Sequence, residues 1–270
     1  MNLFWRRFWG ALRRVFPGCI AQSQAVAFNM FLAFFPMMLL MLGLMASSER
    51  LRGGLLDVIV HLRLVLPPGT TRVLRDFLTQ RETGAWQLIL LGLGGTLIAG
   101  TQMMRLIMDG FQKVYRGGST GRFWVHNLRA LLLLVTTIAP WLLTADLIVF
   151  GRQLRNAMIQ RFAWPGLVSV LWSVMYAGVT LVLAMMVLSV IYRVGWPAVG
   201  SWTAVMPGSA VATLLWWLVS IGLGFYIQHV PYNAIYGGLA VVVALMIWMQ
   251  LTATIILIGA AYNAECARYR

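Results

Sequence analysis

The clearest candidates for chemistry in this chain form a polar stripe that begins inside an apolar segment. They are Gln102, Arg105, Asp109, Gln112 and Arg116, spaced by three or four residues, so they share one helical face if the segment continues as a helix. Arg105 and Asp109 have the spacing of an ion pair along a helix. Because guanidinium groups bind phosphate groups, the stripe predicts a cytosolic vestibule in which Arg105 and Arg116 contact an anionic head group. A helix end that turns its polar face towards the cytosol produces the same pattern.

A second group of polar residues closes the last apolar segment, "LIGAAYNAE", residues 257–265. Its small residues allow close contact with a neighbouring helix, and Asn263 and Glu265 then face the inner loops. We expect Glu265 to fix the geometry of the bundle by pairing with a basic residue, and a gating role is the alternative. The expected basic partners are Arg105, Arg129 and Arg193.

Two further polar residues are predicted to lie within the apolar segments, where ionisable groups are costly. Asn29 is an amide well inside the first segment, and an interhelical hydrogen bond is its expected role. Asp146 lies near the outer end of the third segment. Its carboxylate either reaches interfacial water or carries protons, and both interpretations stay open.

No sequence pattern of an enzyme or of a bound cofactor is present. The three histidines are far apart, and two cysteines alone do not complete a zinc site. The chain has no Walker A sequence and no G-x-S-x-G nucleophile elbow. It contains seven acidic residues, four of them in one loop, whereas a two-metal nuclease needs several that converge on one site. We therefore predict no catalytic, metal-binding or cofactor-binding residue, no cofactor and no enzymatic activity.

Composition indicates which elements carry these residues. Of the 270 residues, 60% are hydrophobic and 10% are charged, with a mean hydropathy of +0.80, whereas soluble domains carry about 25% charged residues. The predicted fold class is therefore an all-α integral membrane protein, a bundle of six transmembrane helices. The net charge of +14 is spread over several loops, which is typical of basic residues that anchor a bundle against anionic lipids. Membrane lipids are the expected partners, and nucleic acid is not expected to bind.

Segments of about 20 apolar residues, the length that crosses a bilayer, define the predicted domains. Residues 1–24 form an amphipathic helical segment in the interface on the cytosolic side, residues 25–265 form the membrane domain, and residues 266–270 form a cytosolic tail. Residues 47–83 are an outer loop of two short amphipathic helices. The predicted spans are residues 25–46, 84–104, 130–150, 164–191, 205–228 and 235–261.

The Lys and Arg residues are more numerous in the segments on the side of the two termini than on the other side, which predicts that both termini are cytosolic. Cys19 and Cys266 then lie in a reducing compartment, so free thiols are expected. Pairs of small residues four positions apart, such as Gly208 and Ala212, predict close contacts between helices.

Four segments of the chain resemble successive blocks of the YihY/virulence factor BrkB family, and the likeness runs from about residue 21 to residue 265. They are "AVAFNMFLAFFPMMLL", "GRFWVHNLRALLLL", "VMPGSAVATLLWWLVSIGLGFYI" and "YGGLAVVVALMIWMQLTATIILIGAAYNAE". The most specific part is Tyr-Gly-Gly followed by Trp248 and Gly-Ala-x-x-Asn-Ala. The resemblance implies a six-span protein of the bacterial inner membrane. It also implies that the label ribonuclease BN, once used for members, is a misassignment, and that serum resistance and envelope lipid or lipopolysaccharide transport are the associated roles.

Three positions differ from the pattern of that family. Phe28-Asn29 stands where the family usually has Phe-Tyr, and Ala33 stands where it usually has Ser. Ala261 stands where the family usually has an acidic residue, so any mechanistic role of that acid does not carry over to this position. Glu265 lies four residues further along the same helical face and is expected to replace the acid structurally.

Together these patterns predict a protein that moves or positions a lipid-like amphipath, such as a phospholipid or a lipopolysaccharide-type molecule, without ATP hydrolysis of its own. The apolar bundle would pass the acyl chains, and a cytosolic rim with Arg105, Arg116, Arg129 and Arg193 would attract the head group. The alternative is a scaffold that binds envelope proteins through the outer loop 47–83. A ribonuclease is the third and least favoured class, and the oligomeric state stays open.

Overall fold

The computed structural model describes residues 3–16, 18–47, 83–115, 124–138, 165–197, 201–229 and 239–268. In these ranges the regular elements are helical and no strand occurs, so the predicted all-α fold class is confirmed. Seven α-helices carry the described residues. They are α1 Leu3–Val15, α2 Ile20–Ser47, α3 Thr83–Tyr115, α4 Trp124–Ile138, α5 Pro165–Gly195, α6 Trp202–His229 and α7 Leu239–Arg268.

Five of these helices are long and apolar enough to cross a membrane, namely α2, α3, α5, α6 and α7. They overlap the predicted first, second, fourth, fifth and sixth spans. The third predicted span begins in α4, which is a shorter apolar helix, and its remainder, residues 139–150 with Asp146, lies outside the described residues. Nearly all of the predicted outer loop 47–83 lies outside them as well.

Two helices continue beyond the predicted ends of their spans. Helix α3 runs on to Tyr115 instead of ending at residue 104, and α7 runs on to Arg268 instead of residue 261. Hydropathy indicates where the lipid-facing part of a helix ends. The helix itself continues as long as its backbone hydrogen bonds do, so the polar residues beyond residues 104 and 261 do not mark helix ends. The stripe from Gln102 to Gln112 is therefore helical, as its spacing predicts, and the predicted tail at 266–270 begins inside α7.

The chain divides into two compact units. Unit 1 comprises Met1–Ile20, Ile107–Leu218 and Thr254–Arg270, and unit 2 comprises Ala21–Leu106 and Val219–Ala253. Consequently α1, α4 and α5 belong to unit 1, and each of α3, α6 and α7 contributes one part to each unit.

Unit 2 is built on a close antiparallel contact between α2 and the first part of α3. A Cβ added at Gly95 would lie 2.8 Å from the Pro36 side chain. A Cβ added at Gly92 would overlap the backbone nitrogen of Leu40 and lie 2.7 Å from its Cα. The contact residues run from 36 to 40 along α2, and their partners run from 95 back to 92 along α3. The two helices are therefore antiparallel. Gly92 and Gly95 thus let two backbones approach.

Two amide side chains on the apolar helices of unit 2 form hydrogen bonds within the unit. The Gln22 side-chain amide donates to the Leu106 carbonyl at 2.7 Å, and the Gln250 side-chain amide donates to Ser23 Oγ at 3.1 Å. Buried polar groups in such a bundle need partners because lipid offers none. These bonds were not predicted from the sequence, where Gln22 and Ser23 stand at the edge of an apolar run and carry no distinguishing pattern.

Unit 1 is organised around the second part of α7. Every residue from Ile255 to Cys266 is buried, so this stretch is enclosed on all sides and forms the centre of the unit. Its neighbours include α5, which approaches Gly259 through Tyr192, and α6, which approaches it through Gly208. Helix α1 lies against Glu265 through Gly10.

The α2–α3 contact leads to a first prediction. Gly92→Ala should lower the unfolding free energy of the purified protein in mixed micelles by about 1–3 kcal/mol, because the new methyl group overlaps the Leu40 backbone. The matched control is Gly94→Ala, since a Cβ at Gly94 meets nothing within 4 Å. Alanine is the better helix former there and should leave stability unchanged or slightly higher. Equal effects of the two substitutions would contradict the packing described here.

Candidate functional site

The end of α7 contacts α6 where α6 contains a proline. Pro207 lies inside α6, and a proline within a helix removes one backbone donor and displaces the carbonyl four residues earlier. Asn263 supplies hydrogen bonds on both sides of it. The Gly208 backbone N–H donates to Asn263 Oδ1 at 2.7 Å, and Asn263 Nδ2 donates to the Val205 carbonyl at 3.1 Å. Asn263 is 2% exposed, and its amide bonds to the α6 backbone through both its oxygen and its nitrogen.

Glycines bring the backbones of the helices into direct contact at this point. A Cβ added at Gly208 would overlap the Gly259 carbonyl oxygen, and one added at Gly259 would overlap the Tyr192 hydroxyl. That hydroxyl donates to the Ile256 carbonyl at 2.9 Å. The predicted close contact of Gly259 with a neighbouring helix is confirmed. It joins α6 to α7 through main-chain atoms, and α5 reaches the same point through the Tyr192 side chain.

Glu265 forms an ion pair with Arg14 of α1, and the two side chains are 7% and 17% exposed. The predicted partners Arg105, Arg129 and Arg193 were therefore wrong. Glu265 lies in the last turn of α7, where the helix dipole disfavours a negative charge, so a close cation is required to offset its burial. The α1 helix meets this need by docking on α7, a contact across 251 positions of sequence that no local pattern shows.

The contact between α1 and α7 has further parts. A Cβ added at Gly10 would lie 3.2 Å from Glu265 Cδ, so the absence of a side chain at residue 10 lets the carboxyl group approach α1. Arg7 Nη1 lies 3.8 Å from Cys266 Sγ. Cys19 and Cys266 are both buried and neither is in a disulfide, as expected. Burial raises the pKa of the Cys19 thiol above its ordinary value, and Lys113 offsets part of that rise, so Cys19 is protonated at neutral pH.

Two helices of unit 1 end side by side. The ring of Tyr115, the last residue of α3, stacks on Trp196 just after α5, with ring centroids 5.5 Å apart. Arginines donate to carbonyls at both ends, because Arg14 Nη1 donates to Val114 O at 3.3 Å and Arg193 Nη1 donates to Pro197 O at 3.4 Å. Cations near helix C-termini are stabilising, so part of the arginine content serves the fold.

The predicted polar stripe is distributed along α3. Asp109 is 46% exposed and lies 3.4 Å from His126 Nε2 of α4, so its close partner in unit 1 is a histidine. Arg105 is half-buried and Gln102 is exposed. Arg116 lies outside the described residues. The stripe thus has the predicted helical geometry, and its Asp109 connects α3 to the first turn of α4.

The remaining predicted residues differ in their surroundings. Arg129 is half-buried on α4, and Arg193 is half-buried near the end of α5. The Arg193 Nε atom is buried and has no hydrogen-bond partner. Asn29 donates to the Ala25 carbonyl of its own helix at 3.0 Å, so the predicted interhelical bond was wrong, because the carbonyl four residues back is always within reach. Asp146 lies outside the described residues.

The described side chains carry a large excess of positive charge. Nine of them are basic and two, Asp109 and Glu265, are acidic. Both acids have close partners, His126 and Arg14. Unit 1 contains all the basic residues of the described ranges except Arg105. They are Arg6, Arg7, Arg13, Arg14, Lys113, Arg129, Arg193 and Arg268.

Sequence reasoning missed several residues that build this site. Arg14 was considered only as part of an amphipathic segment, although it is the partner of Glu265. Tyr192 was hidden in an apolar run. Pro207 was the available signal, because a proline within a helix calls for a polar group from elsewhere. Among the described residues no group of three or more His, Cys, Asp or Glu side chains could hold a metal ion.

Comparison with known proteins gives a consistent set of relatives. A family model described as Virulence factor BrkB matches residues 18–270. The chain is 25% identical over 247 residues to the "Putative ribonuclease-like protein YfkH" of Bacillus subtilis, which covers 90% of this chain and 88% of the relative. It is 25% identical over 256 residues to a "UPF0761 membrane protein" of Alkalilimnicola ehrlichii, which covers 93% of this chain and 56% of the relative.

A "UPF0761 membrane protein" of Chromobacterium violaceum is 24% identical over 250 residues, covering 90% of this chain and 57% of the relative. The chain thus spans little more than half the length of these two UPF0761 relatives. No solved structure gives a significant match.

Asn263 leads to a second prediction. Asn263→Leu should lower the unfolding free energy by about 1–3 kcal/mol, because it leaves the Gly208 N–H and the Val205 carbonyl without this partner. Asn29→Leu is the control of the same residue type and should cost less, since its bond lies within one helix. Adding Pro207→Ala should reduce the cost of Asn263→Leu by restoring helical bonds in α6. A double-mutant cycle in mixed micelles measures this coupling, and additivity would contradict the role assigned to Asn263.

The Arg14–Glu265 pair leads to a third prediction. Arg14→Gln should destabilise the protein by about 2–4 kcal/mol, because it leaves Glu265 buried without its cation. Arg13→Gln removes an exposed neighbour on the same helix and should change stability by less than about 0.5 kcal/mol. The double variant Arg14→Gln/Glu265→Gln should recover much of the loss. If it is no more stable than Arg14→Gln alone, the ion pair is not what holds α1 on α7.

Proposed function

The chain belongs to the virulence factor BrkB family, and from that premise we propose that this membrane protein moves or positions an anionic, lipid-like amphipath within the bilayer without ATP hydrolysis of its own. A phospholipid or a lipopolysaccharide-type molecule has the required chemistry. The observation that carries the proposal is the excess of basic side chains gathered in one unit of an otherwise apolar bundle. An amphipath with a negative head group complements both properties.

Arg129 and Arg193 are the residues best suited to contact the head group. Within the described ranges neither forms an ion pair with a carboxylate, and the Nε of Arg193 is a buried donor without a partner. A guanidinium group that is half-buried interacts more strongly with an anion than one in bulk water, because screening is weaker there. A phosphate group accepts hydrogen bonds from guanidinium groups in the bidentate geometry that arginine favours.

Apolar side chains on the outer faces of the helices suit the other end of such a molecule. Val170, Val174 and Val182 of α5 are all more than half exposed, and so are Leu90 and Ile98 of α3. Surfaces of this kind contact acyl chains in a bilayer. The combination supports a substrate with acyl chains and an acidic head group over a small soluble anion.

The distribution of charge also supports a location and an orientation. We propose that the protein lies in the bacterial inner membrane with both termini in the cytosol. Unit 1 contains both ends of the described chain and all of its basic residues except Arg105. Basic residues concentrate on the cytosolic side of bacterial membrane proteins.

The fourth prediction concerns transport. Purified protein in liposomes with a head-group-labelled fluorescent phosphatidylglycerol should increase the fraction of label that an impermeant quencher reaches. Arg129→Gln and Arg193→Gln should each slow this exchange severalfold, because each removes a cation from the head-group path. Arg268→Gln is the matched control, since Arg268 is exposed at the end of α7. This variant should exchange label at the wild-type rate.

Three results would contradict the proposal or part of it. Exchange no faster than in empty liposomes would exclude unassisted transport and favour the scaffold that acts through the outer loop 47–83. Exchange that none of the variants alters would exclude the two arginines as head-group ligands. Metal-dependent cleavage of RNA that persists through further purification would contradict the proposal and support the word ribonuclease in one relative's name. Cleavage that is lost on purification would come from a contaminant.

A further inference from the structure

The four arginines of α1 divide into two pairs with different surroundings. Arg7 and Arg14 are half-buried and face α7, where Arg14 pairs with Glu265. Arg6 and Arg13 are exposed. Members of each pair are seven residues apart, which places them on one side of a helix after two turns. The inward pair holds α1 on α7, and the outward pair lies on the exposed side of the helix.

The outward side of α1 is aromatic as well as basic. Trp5, Trp9 and Phe16 are 51%, 55% and 44% exposed, and their spacing of four and seven residues forms a row along the helix. Ala11 and Val15, on the opposite side, are buried. The outward arginines border the aromatic row on one edge, and α1 contains no acidic residue.

The position of α1 in the chain brings this surface close to a membrane. Helix α1 ends at Val15, and the first apolar span begins at Ile20. Five residues of fully extended chain reach roughly 17 Å, so the end of α1 cannot lie far from the end of that span. Tryptophan is favoured at the level of lipid head groups, and arginine binds phosphate there.

We propose that Trp5, Arg6, Trp9, Arg13 and Phe16 form a binding surface for anionic lipid head groups of the adjacent leaflet. Charge complementarity favours this occupant, because the surface carries two cations and no anion, and a second copy of the same surface would repel it. The row of exposed rings favours a lipid layer over an acidic peptide, since rings of this kind insert between head groups. These lipids are resident ligands and differ from the transported amphipath.

This surface would couple lipid composition to the core of unit 1. The same short helix contacts lipid on one side and Glu265 on the other. Glu265 stands two residues after Asn263, which bonds to the α6 backbone. A shift of α1 on the membrane would therefore act first on Glu265, next to the contact between α6 and α7.

The fifth prediction tests the surface in the full chain, reconstituted in nanodiscs of phosphatidylcholine and phosphatidylglycerol. Both lipids carry the same photoreactive acyl chain, and mass spectrometry counts adducts on α1. We expect phosphatidylglycerol to exceed its bulk proportion by about two- to fivefold, the preference that one or two basic residues give near a surface. Arg6→Gln/Arg13→Gln should return the ratio to the bulk value, whereas Arg268→Gln should leave it unchanged.

Two further variants separate charge from insertion. Arg6→Lys/Arg13→Lys should retain most of the preference, and Trp5→Ala/Trp9→Ala should lower the number of adducts with less effect on their ratio. Raising the salt concentration should reduce the preference. A bulk ratio in the wild type, or a preference that survives loss of both arginines, would overturn the proposal. The assay reads lipid residence, so failed exchange in liposomes does not affect its outcome.

Discussion

The contact between Asn263 and the backbone around Pro207 is the interaction on which the rest of unit 1 depends. Within an apolar bundle every backbone polar group needs an internal partner, because lipid provides none. Pro207 disturbs this balance in α6, and an amide side chain is the group that can both accept and donate. Asn263 reaches the α6 backbone only because glycines at 208 and 259 let the two helices touch. Close packing and polar satisfaction therefore depend on each other here.

Several arginines of unit 1 lie at the C-terminal ends of helices. Glu265 belongs to the last turn of a buried helix, and the ends of α3 and α5 lie side by side in the same unit. Each of these features concentrates negative potential. Arg14 and Arg193 donate to carbonyls at such ends, so a basic composition partly reflects helix architecture. Lipid chemistry must then explain the exposed arginines, Arg129 and the remaining donors of Arg193.

Hydropathy and residue spacing predicted the five long apolar helices of the described ranges and the close contact at Gly259, since both patterns depend on neighbours in sequence. The α3 stripe follows its predicted face as far as Gln112. The partner of Glu265 was not predictable in the same way, because α1 and the end of α7 are brought together by the fold alone. For Asn29 the prediction failed in the other direction. An amide in an apolar helix suggested a partner on another helix, but Asn29 donates to the Ala25 carbonyl of its own helix. Pairings that depend on which helices adjoin are invisible to periodicity.

The side chains of α1 also determine the register in which this helix packs against α7. Its arginines occur as two adjacent doublets seven residues apart, so a slip of one position would present Arg6 and Arg13 where Arg7 and Arg14 now stand. Electrostatics alone distinguishes the two alignments poorly. Gly10 distinguishes them, because the slipped helix would bring the Trp9 indole against the Glu265 carboxylate, where even a methyl group is tight. One missing side chain thus decides which arginines face the protein and which face outwards.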